Sequence, residues 1–173
     1  MYKCTATPRH YAAWLNKWNY LAPYEDLFGG ISAFTDIAFE KINGYSNEYW
    51  GWGGEDDDLS RRTFNGQTGF KMARPDKRVT KYKMIQHEHE TNNAVNEDRF
   101  ELLQNFQKHW NTDGLNSLDY QVLSLSREAF YTNVTVDLHY DNRMSKTTLG
   151  VGKRAATDLD GKFFWTFASW LER

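Results

Sequence analysis

The stretch 49–59 constrains this chain more than any other. It sets Trp50 and Trp52 among three glycines and then places four carboxylates in a row, at residues 55–58. Glycine allows backbone conformations that other residues avoid, and tryptophan offers a flat apolar face. Because a sugar ring has apolar C–H faces and a rim of hydroxyl groups, these residue types suit carbohydrate binding. A purely structural interpretation stays open: an aromatic turn followed by the acidic first turn of a helix, where the helix dipole favours negative charge.

Length, charge and cysteine usage bound the class of protein. A chain of 173 residues favours one domain that can bury a core. The formal net charge of −2 gives no indication of a nucleic-acid or anionic-membrane partner. We find no apolar run of the roughly 18 residues that a membrane span requires, and no secretory signal follows Met1. Cys4 is the single cysteine, so an internal disulfide is excluded while the compartment stays open.

Hydrophobic periodicity and turn residues predict the elements that carry these motifs. A short helical piece with Trp14, Leu15 and Trp18 on its buried side is expected to end at Pro23. Further helices are predicted over residues 33–44, 57–64 and 97–110, with Thr35 or Asp36 capping the first and Asn96 the last. Strands are predicted over residues 69–72, 78–85, 118–126 and 133–139.

The predicted helix from Asp57 places Glu55, Asp56 and Asp57 at a helix N-terminus. There we expect the carboxylates to stay ionised and to point outward, as a proton acceptor or a partner for sugar hydroxyls requires. Phe100, Leu103, Phe106 and Trp110 recur at helical spacing further along. This stripe is expected to face the core, or a cleft at its N-terminal end.

Met84 and His87 lie in a His/Glu-rich run behind the predicted strand 78–85. A cluster of this kind behind a strand is a common way to present a metal ligand. A charged, solvated loop is the more frequent meaning of such a run, and its spacing matches none of the short metal motifs.

Several segments, in this order, resemble the β-1,4-galactosyltransferase family, whose relatives include β-1,4-N-acetylgalactosaminyltransferases. The most specific is Trp-Gly-Gly-Glu-Asp-Asp-Asp, and the resemblance covers roughly residues 2–138. The other matching segments are residues 28–32, 42–45, 84–87, 113–118, 120–123 and 131–137. The resemblance implies an α/β, Rossmann-like nucleotide-diphospho-sugar glycosyltransferase fold of the GT-A type. It further implies that residues 1–139 are the C-terminal part of the catalytic domain, followed by a divergent tail, 140–173, of unknown role.

The resemblance also implies roles for individual residues. Asp56 resembles the general base that takes the proton from the acceptor 4-hydroxyl. Met84 and His87 resemble two ligands of a manganese ion, although a thioether is a soft partner for that ion. The residues that resemble donor-sugar contacts are Leu27, Gly30, Trp52, Glu55 and Asp56. Those that resemble acceptor contacts are Tyr24, Asp57, Arg99, Phe100 and Leu103.

The implied reaction inverts the anomeric carbon of the donor. The deprotonated hydroxyl displaces UDP, Mn²⁺ stabilises the leaving diphosphate, and closure of the Trp52 loop and of the loop 86–96 excludes water. The acceptor implied is a glycan that ends in N-acetylglucosamine. The resemblance places such enzymes in the Golgi lumen as type II membrane proteins, although no anchor is present in this chain.

Leu27 departs from the vertebrate family pattern, which has tyrosine there. Leucine is shorter and apolar, so it should leave room for a 2-acetamido group. We therefore expect UDP-GalNAc to be the preferred donor, with UDP-Gal second.

A second departure concerns completeness. The family's Asp-x-Asp metal motif and its uridine-binding half lie upstream of the part that this chain resembles, and so does the implied disulfide mate of Cys4. Three hypotheses remain open at this point: an active transferase when that half is present, a sugar-binding fragment without turnover, or a purely structural domain.

Overall fold

The computed structural model describes residues 5–88, 91 and 93–139, and the backbone of 164–167. It mixes helices and short sheets in two compact units, Met1–Leu118 and Asp119–Arg173. Among the helices of the described residues, none combines the length and apolarity that a bilayer crossing needs.

The first unit is built from short strands around three helices. Strand β1 (Arg9–His10) pairs antiparallel with β3 (Ser32–Ala33), and β2 (Trp14–Leu15) pairs parallel with β4 (Lys81–Tyr82). The helices are α1 (Asp36–Lys41), α2 (Glu55–Phe64) and α3 (Arg99–His109), with 3-10 segments at Asn16–Trp18 and Leu115–Ser117.

The core of this unit is a small aromatic and aliphatic cluster. Phe28, Ile42 and Leu59 are at most 1% exposed. The Phe28 ring meets the Phe34 and Phe64 rings edge-on, at centroid distances of 5.6 and 5.2 Å, an arrangement that aromatic quadrupoles favour. Because Phe28 belongs to a loop and Phe64 to α2, these contacts tie the loop to the helix.

A buried ion network fixes α2 to the turn after α3. The Arg62 side chain is fully buried, and its Nε donates to Asp58 Oδ2 at 2.5 Å. Its Nη2 donates to Asp113 Oδ2 at 3.0 Å, and Asp113 also accepts from the Ser46 hydroxyl and the Asn47 N–H. The fourth carboxylate of the acidic row, Asp58, is therefore directed into the protein, because it is one helical turn from Arg62 on the inner face of α2.

The second unit contains a three-stranded antiparallel sheet in the order β5-β6-β7. Its strands are Gln121–Arg127, Thr132–Asp137 and Phe164–Phe167. The β5–β6 register runs from Gln121 opposite Asp137 to Arg127 opposite Thr132, with a shift between Val122 and Ser124. Strands were predicted in both places where β5 and β6 occur. Of the tail 140–173, only the backbone of β7 lies within the described residues.

The structure corrects several predicted elements of the first unit. Trp14 and Leu15 form strand β2, and the 3-10 segment after them ends at Asn19 in a left-handed conformation, before Pro23. The strand predicted over 69–72 is absent, because the described pairing next to it is only an isolated bridge between Arg9 and Ala73. The strand predicted over 78–85 is reduced to the two residues of β4.

The helix boundaries also differ from the prediction. Thr35 caps α1 as predicted, its hydroxyl accepting from the Ala38 N–H, but the helix is shorter than residues 33–44. Helix α2 begins at Glu55, two residues before the predicted start. Helix α3 begins at Arg99, because Asn96 accepts from the Asp98 N–H in a turn that precedes the helix.

The buried network predicts a large difference between two arginine variants. Arg62→Gln leaves Asp58 buried without a cation and should lower the free energy of unfolding by about 3–5 kcal/mol. Arg78→Gln removes an exposed pair with Asp76 and should leave the unfolding midpoint unchanged within error. Urea unfolding of both variants, followed by circular dichroism, measures the contrast, and equal midpoints would refute the structural role of Arg62.

Candidate functional site

The N-terminus of α2 presents carboxylates from a tight glycine turn. Gly54 precedes the helix with φ 95°, a left-handed conformation that favours glycine. A Cβ on Gly54 would lie 2.7 Å from Tyr49 Cε1 and 3.1 Å from Arg99 Cβ. The absence of a side chain therefore lets the Tyr49 ring and α3 approach the point where the helix begins. Glu55, Asp56 and Asp57 follow in its first turn.

Asp56 lies against the loop that carries the predicted donor residues. A Cβ built on Gly29 would be 2.0 Å from Asp56 Oδ2, so the loop backbone and this carboxylate occupy adjoining space. Leu27 and Gly30 belong to the same loop, on either side of the buried Phe28. The structure thus brings Asp56 next to the donor-binding loop that the sequence predicts. Leu27 itself is only 5% exposed.

Asp57 and Tyr24 form a hydrogen-bonded pair at the edge of this site. The Tyr24 hydroxyl donates to Asp57 Oδ1 at 2.9 Å. Burial raises the pKa of Tyr24 above its usual value, and the bond to Asp57 raises it further. Two of the five predicted acceptor contacts are therefore joined directly, and the tyrosine keeps its proton at physiological pH.

Tyr45 is a neighbour of the acids that sequence reasoning missed as a site residue. Its pKa is raised by burial and then by the charges of Asp56 and Glu55, while a hydrogen bond with Ser32 opposes the rise. The segment Ile-Asn-Gly-Tyr predicts a turn followed by an aromatic residue. It does not indicate that the tyrosine lies close to Glu55 and Asp56. Tyr45 adds a protonated hydroxyl beside the acidic cluster.

The electrostatics of Asp56 correct one expectation. The pKa of this carboxyl is raised above 3.8, mainly by burial and then by the neighbouring charges of Glu55 and Asp57. Desolvation and like charges therefore outweigh the favourable field of the helix N-terminus. Asp56 is half-buried and does not simply point into solvent, whereas Glu55 is exposed. A carboxylate with a raised pKa is a stronger proton acceptor.

The Trp52 loop is paired with the segment before α3. The Trp52 N–H donates to Ala94 O at 2.8 Å, and the Asn96 N–H donates to Trp52 O at 3.0 Å. The indole is 50% exposed. The two loops that were predicted to close over the donor are thus connected by backbone hydrogen bonds, and Gly51 in the same loop lies against Ala94.

The first turn of α3 lies against the glycine turn that precedes α2. The Arg99 guanidinium is 4.4 Å from the centre of the Phe100 ring, a cation–π distance, and Arg99 Nη1 donates to Asn96 O. Phe100 is 62% exposed, whereas Leu103 and Phe106 are buried. The apolar stripe therefore divides as expected, with its first turn accessible and the remainder in the interior.

Met84 and His87 lie after β4, and their described hydrogen bonds are to Asn16 and Ile85. The Met84 N–H donates to Asn16 Oδ1, and the exposed His87 ring places Nδ1 3.0 Å from Ile85 O. If that nitrogen donates, Nε2 keeps the lone pair that a metal needs. In the part of the chain that is described, no cluster of three His, Cys, Asp or Glu side chains could hold an ion. One imidazole and one thioether do not satisfy a hard cation such as Mn²⁺, so these residues fit the ion only as part of a larger ligand set.

Comparison with known proteins places the fold and the family. Residues 9–88 match a family model described as the N-terminal domain of galactosyltransferase. β-1,4-Galactosyltransferase 2 of Cricetulus griseus is 44% identical over 138 residues, which are 80% of this chain and 37% of that relative. β-1,4-Galactosyltransferase 3 of Bos taurus is 46% identical over 143 residues, which are 83% of this chain and 36% of that relative.

A solved structure shares the fold. It is a mutant of Drosophila β-1,4-galactosyltransferase 7 in complex with manganese, UDP-Gal and xylobiose, with a TM-score of 0.54 and 24% identity. The match covers 74% of this chain and 53% of that one. The fold is therefore that of a GT-A glycosyltransferase catalytic domain. Within this class, the chain belongs to the β-1,4-galactosyltransferase family, and it spans 36–37% of the length of the two curated relatives above.

The raised pKa of Asp56 predicts that its loss stabilises the fold at neutral pH. Because the folded state holds this proton more tightly than the unfolded state, ionisation destabilises the fold as pH rises above 3.8 through the folded pKa. Asp56→Asn should therefore raise the free energy of unfolding at pH 7, and its advantage should shrink as pH falls toward 4.

Asp76→Asn is the control, because the pKa of Asp76 is shifted in the opposite direction from that of Asp56. Hydrogen bonds from Arg78 lower the pKa of Asp76 to about 2, so its removal should give no stabilisation at pH 7. Urea unfolding across this pH range measures both variants. Destabilisation by Asp56→Asn at neutral pH would contradict the account of Asp56.

Proposed function

We propose that the protein carrying this chain is an inverting hexosyltransferase. It moves N-acetylgalactosamine, or galactose as the second choice, from a UDP-sugar to the 4-hydroxyl of a terminal N-acetylglucosamine. The observation that carries the proposal is the half-buried Asp56 carboxylate, which lies against the Gly29 backbone and precedes Asp57 of the Tyr24–Asp57 pair. Membership of the β-1,4-galactosyltransferase family supports the reaction class.

Asp56 is the proposed general base. Its environment strengthens it as a proton acceptor, since burial and two neighbouring acids raise its pKa. Because Gly29 has no side chain, Asp56 Oδ2 packs directly against the loop backbone, so a donor sugar bound along the loop 27–30 would lie next to the carboxylate. Loss of the base would remove the means of activating the acceptor hydroxyl, a contribution that is typically 10²–10⁴-fold.

The proposed acceptor surface combines Tyr24, Asp57 and the first turn of α3. Asp57 is oriented by Tyr24, and its remaining lone pairs can accept from sugar hydroxyls. Phe100 presents an exposed aromatic face, with Arg99 beside it, for the apolar side of a pyranose ring. Leu103 closes the buried end of this surface.

Leu27 is the proposed determinant of donor choice. It precedes the Phe28-Gly29 pair that lies against Asp56, and its side chain is buried. We propose that a tyrosine there, which is larger than the buried leucine, would take up space beside the C2 group of the donor. A leucine leaves that space open to a 2-acetamido group.

Manganese is the proposed metal, with His87 and Met84 as partial ligands. When bound, such an ion would stabilise the charge of the departing diphosphate. In this proposal the residues of this chain bind the sugars and exclude water through the paired Trp52 and 94–96 segments. The Asp56 carboxylate accepts the proton of the acceptor hydroxyl. The proposed location is the Golgi lumen, as the family resemblance implies.

The alternative function is sugar binding without turnover. It is supported by the Tyr24–Asp57 pair and the exposed Phe100 ring, which can contact a sugar without a metal ion. Calorimetry of the 173-residue chain distinguishes the two: binding of an N-acetylglucosamine disaccharide, but not of UDP with Mn²⁺, favours the alternative.

Removing the Asp56 carboxylate should abolish transfer without weakening acceptor binding. We expect Asp56→Asn, made in the longest natural form of the protein, to lower kcat by about 10²-fold or more, while Asp76→Asn retains wild-type rates. Transfer from both UDP-sugars to a β-linked N-acetylglucosaminide, followed by mass spectrometry, gives the rates. Wild-type kcat in Asp56→Asn would exclude this residue as the base.

Leu27→Tyr should shift donor preference toward galactose. The new side chain would occupy the space of the 2-acetamido group, so kcat/KM for UDP-GalNAc should fall relative to UDP-Gal by about 10-fold or more, as steric rejection of one substituent allows. Leu27→Met keeps an apolar side chain of similar volume and serves as the control. An unchanged ratio in Leu27→Tyr would remove Leu27 from the specificity argument.

A further inference from the structure

The loop 25–29 is held through three of its carbonyl oxygens by two side chains from other segments. Arg74 Nη2 lies 2.6 Å from Glu25 O and 2.8 Å from Leu27 O. His10 Nε2 lies 2.9 Å from Gly29 O. The three carbonyls are at alternate residues, so one edge of the loop backbone is bound from Glu25 to Gly29.

The same two side chains are bonded to each other, and that bond defines the histidine tautomer. Arg74 Nε donates to His10 Nδ1 at 3.3 Å. Arginine has only donors, so Nδ1 must carry the lone pair and Nε2 the proton that is donated to Gly29 O. His10 is thus neutral, a state that burial also favours because it lowers the pKa of this histidine to about 4.

The pair is rigidly supported. His10 is fully buried in β1, its N–H donates to Ala73 O, and its ring lies 5.5 Å from the Phe28 ring. Arg74 follows Ala73, so both side chains start from one paired strand edge. The loop they hold carries Leu27 and the Gly29 backbone that lies against Asp56.

We infer that His10 and Arg74 are positioning residues for the donor-sugar loop, which set the place of Leu27 and Gly29 relative to Asp56. The inference rests on the proposed function, since it assigns these residues to donor binding at the same site. A displacement of about 1 Å in such a loop can cost 10²-fold in rate. The effect of His10 should fall on the donor, because His10 holds Gly29 O, whereas the acceptor residues Tyr24 and Asp57 hold each other.

Four variants test this role. His10→Leu and Arg74→Met remove the polar contacts, whereas His10→Gln retains one acceptor and one donor that can replace both ring nitrogens. Ile42→Val weakens the core near Phe28 without touching the loop contacts and controls for lost stability, typically by about 0.5–1.5 kcal/mol.

Two readouts are measured on each variant. His10→Leu should raise the KM for the UDP-sugar by about 10-fold, equivalent to about 1.4 kcal/mol, with the acceptor KM unchanged. Arg74→Met also frees Glu25 O beside Tyr24, so it should raise the donor KM by more than the acceptor KM. Hydrogen exchange at Tyr11 and Ala12, whose N–H groups donate to Ile31 O at the end of the loop, should become faster. His10→Gln should restore most of both properties.

The inference is overturned if donor and acceptor KM rise equally, or if Ile42→Val accelerates exchange at Tyr11 and Ala12 as much as His10→Leu does. Failure of the proposed function has a separate signature: wild-type protein that transfers no sugar from either UDP-sugar. In that event the exchange data still decide whether the pair holds the loop.

Discussion

The buried pairing of Arg62 with Asp58 and Asp113 is the interaction on which the site depends. Asp58 and Arg62 belong to α2, and Asp113 belongs to the turn after α3, so the network fixes one helix relative to the other. A buried arginine with two carboxylates is stable only when its hydrogen bonds are satisfied, and here Nη1 also donates to Asp113 O. Since α2 cannot rotate without breaking these bonds, the carboxylates of its first turn have a defined direction.

The carboxylates of the acidic row therefore have different roles, although they belong to one turn of helix. Asp58 holds the helix, Asp57 is oriented by Tyr24, and Asp56 lies against the Gly29 backbone. The cost of this arrangement is local, because neighbouring negative charges and burial raise the pKa of Asp56. A cluster that destabilises its own ionised form is typical of functional sites, where a reactive group is maintained by the surrounding fold.

The acidic first turn of α2 could be predicted from the sequence because its four carboxylates are adjacent along the chain. The carboxylates at the start of α2, the cap at Thr35 and the divided stripe of α3 all follow from local pattern. Partners distant in sequence could not be predicted this way. Asp113 is 51 residues from Arg62, and Arg74 is 64 residues from His10. The short strands β1 to β4 have two residues each, too few to produce a recognisable alternation.

Central to this site is that Asp56 is a partly desolvated carboxylate, which lies against the Gly29 backbone and beside the acidic neighbours Glu55 and Asp57. A ¹³C NMR titration of the aspartate carboxyl carbons, with Asp56 assigned by its Asn variant, measures this directly. The account predicts a midpoint for Asp56 above 3.8 that moves downward in Glu55→Gln, because that change removes a neighbouring charge. A midpoint at or below 3.8 that is indifferent to Glu55→Gln would contradict it.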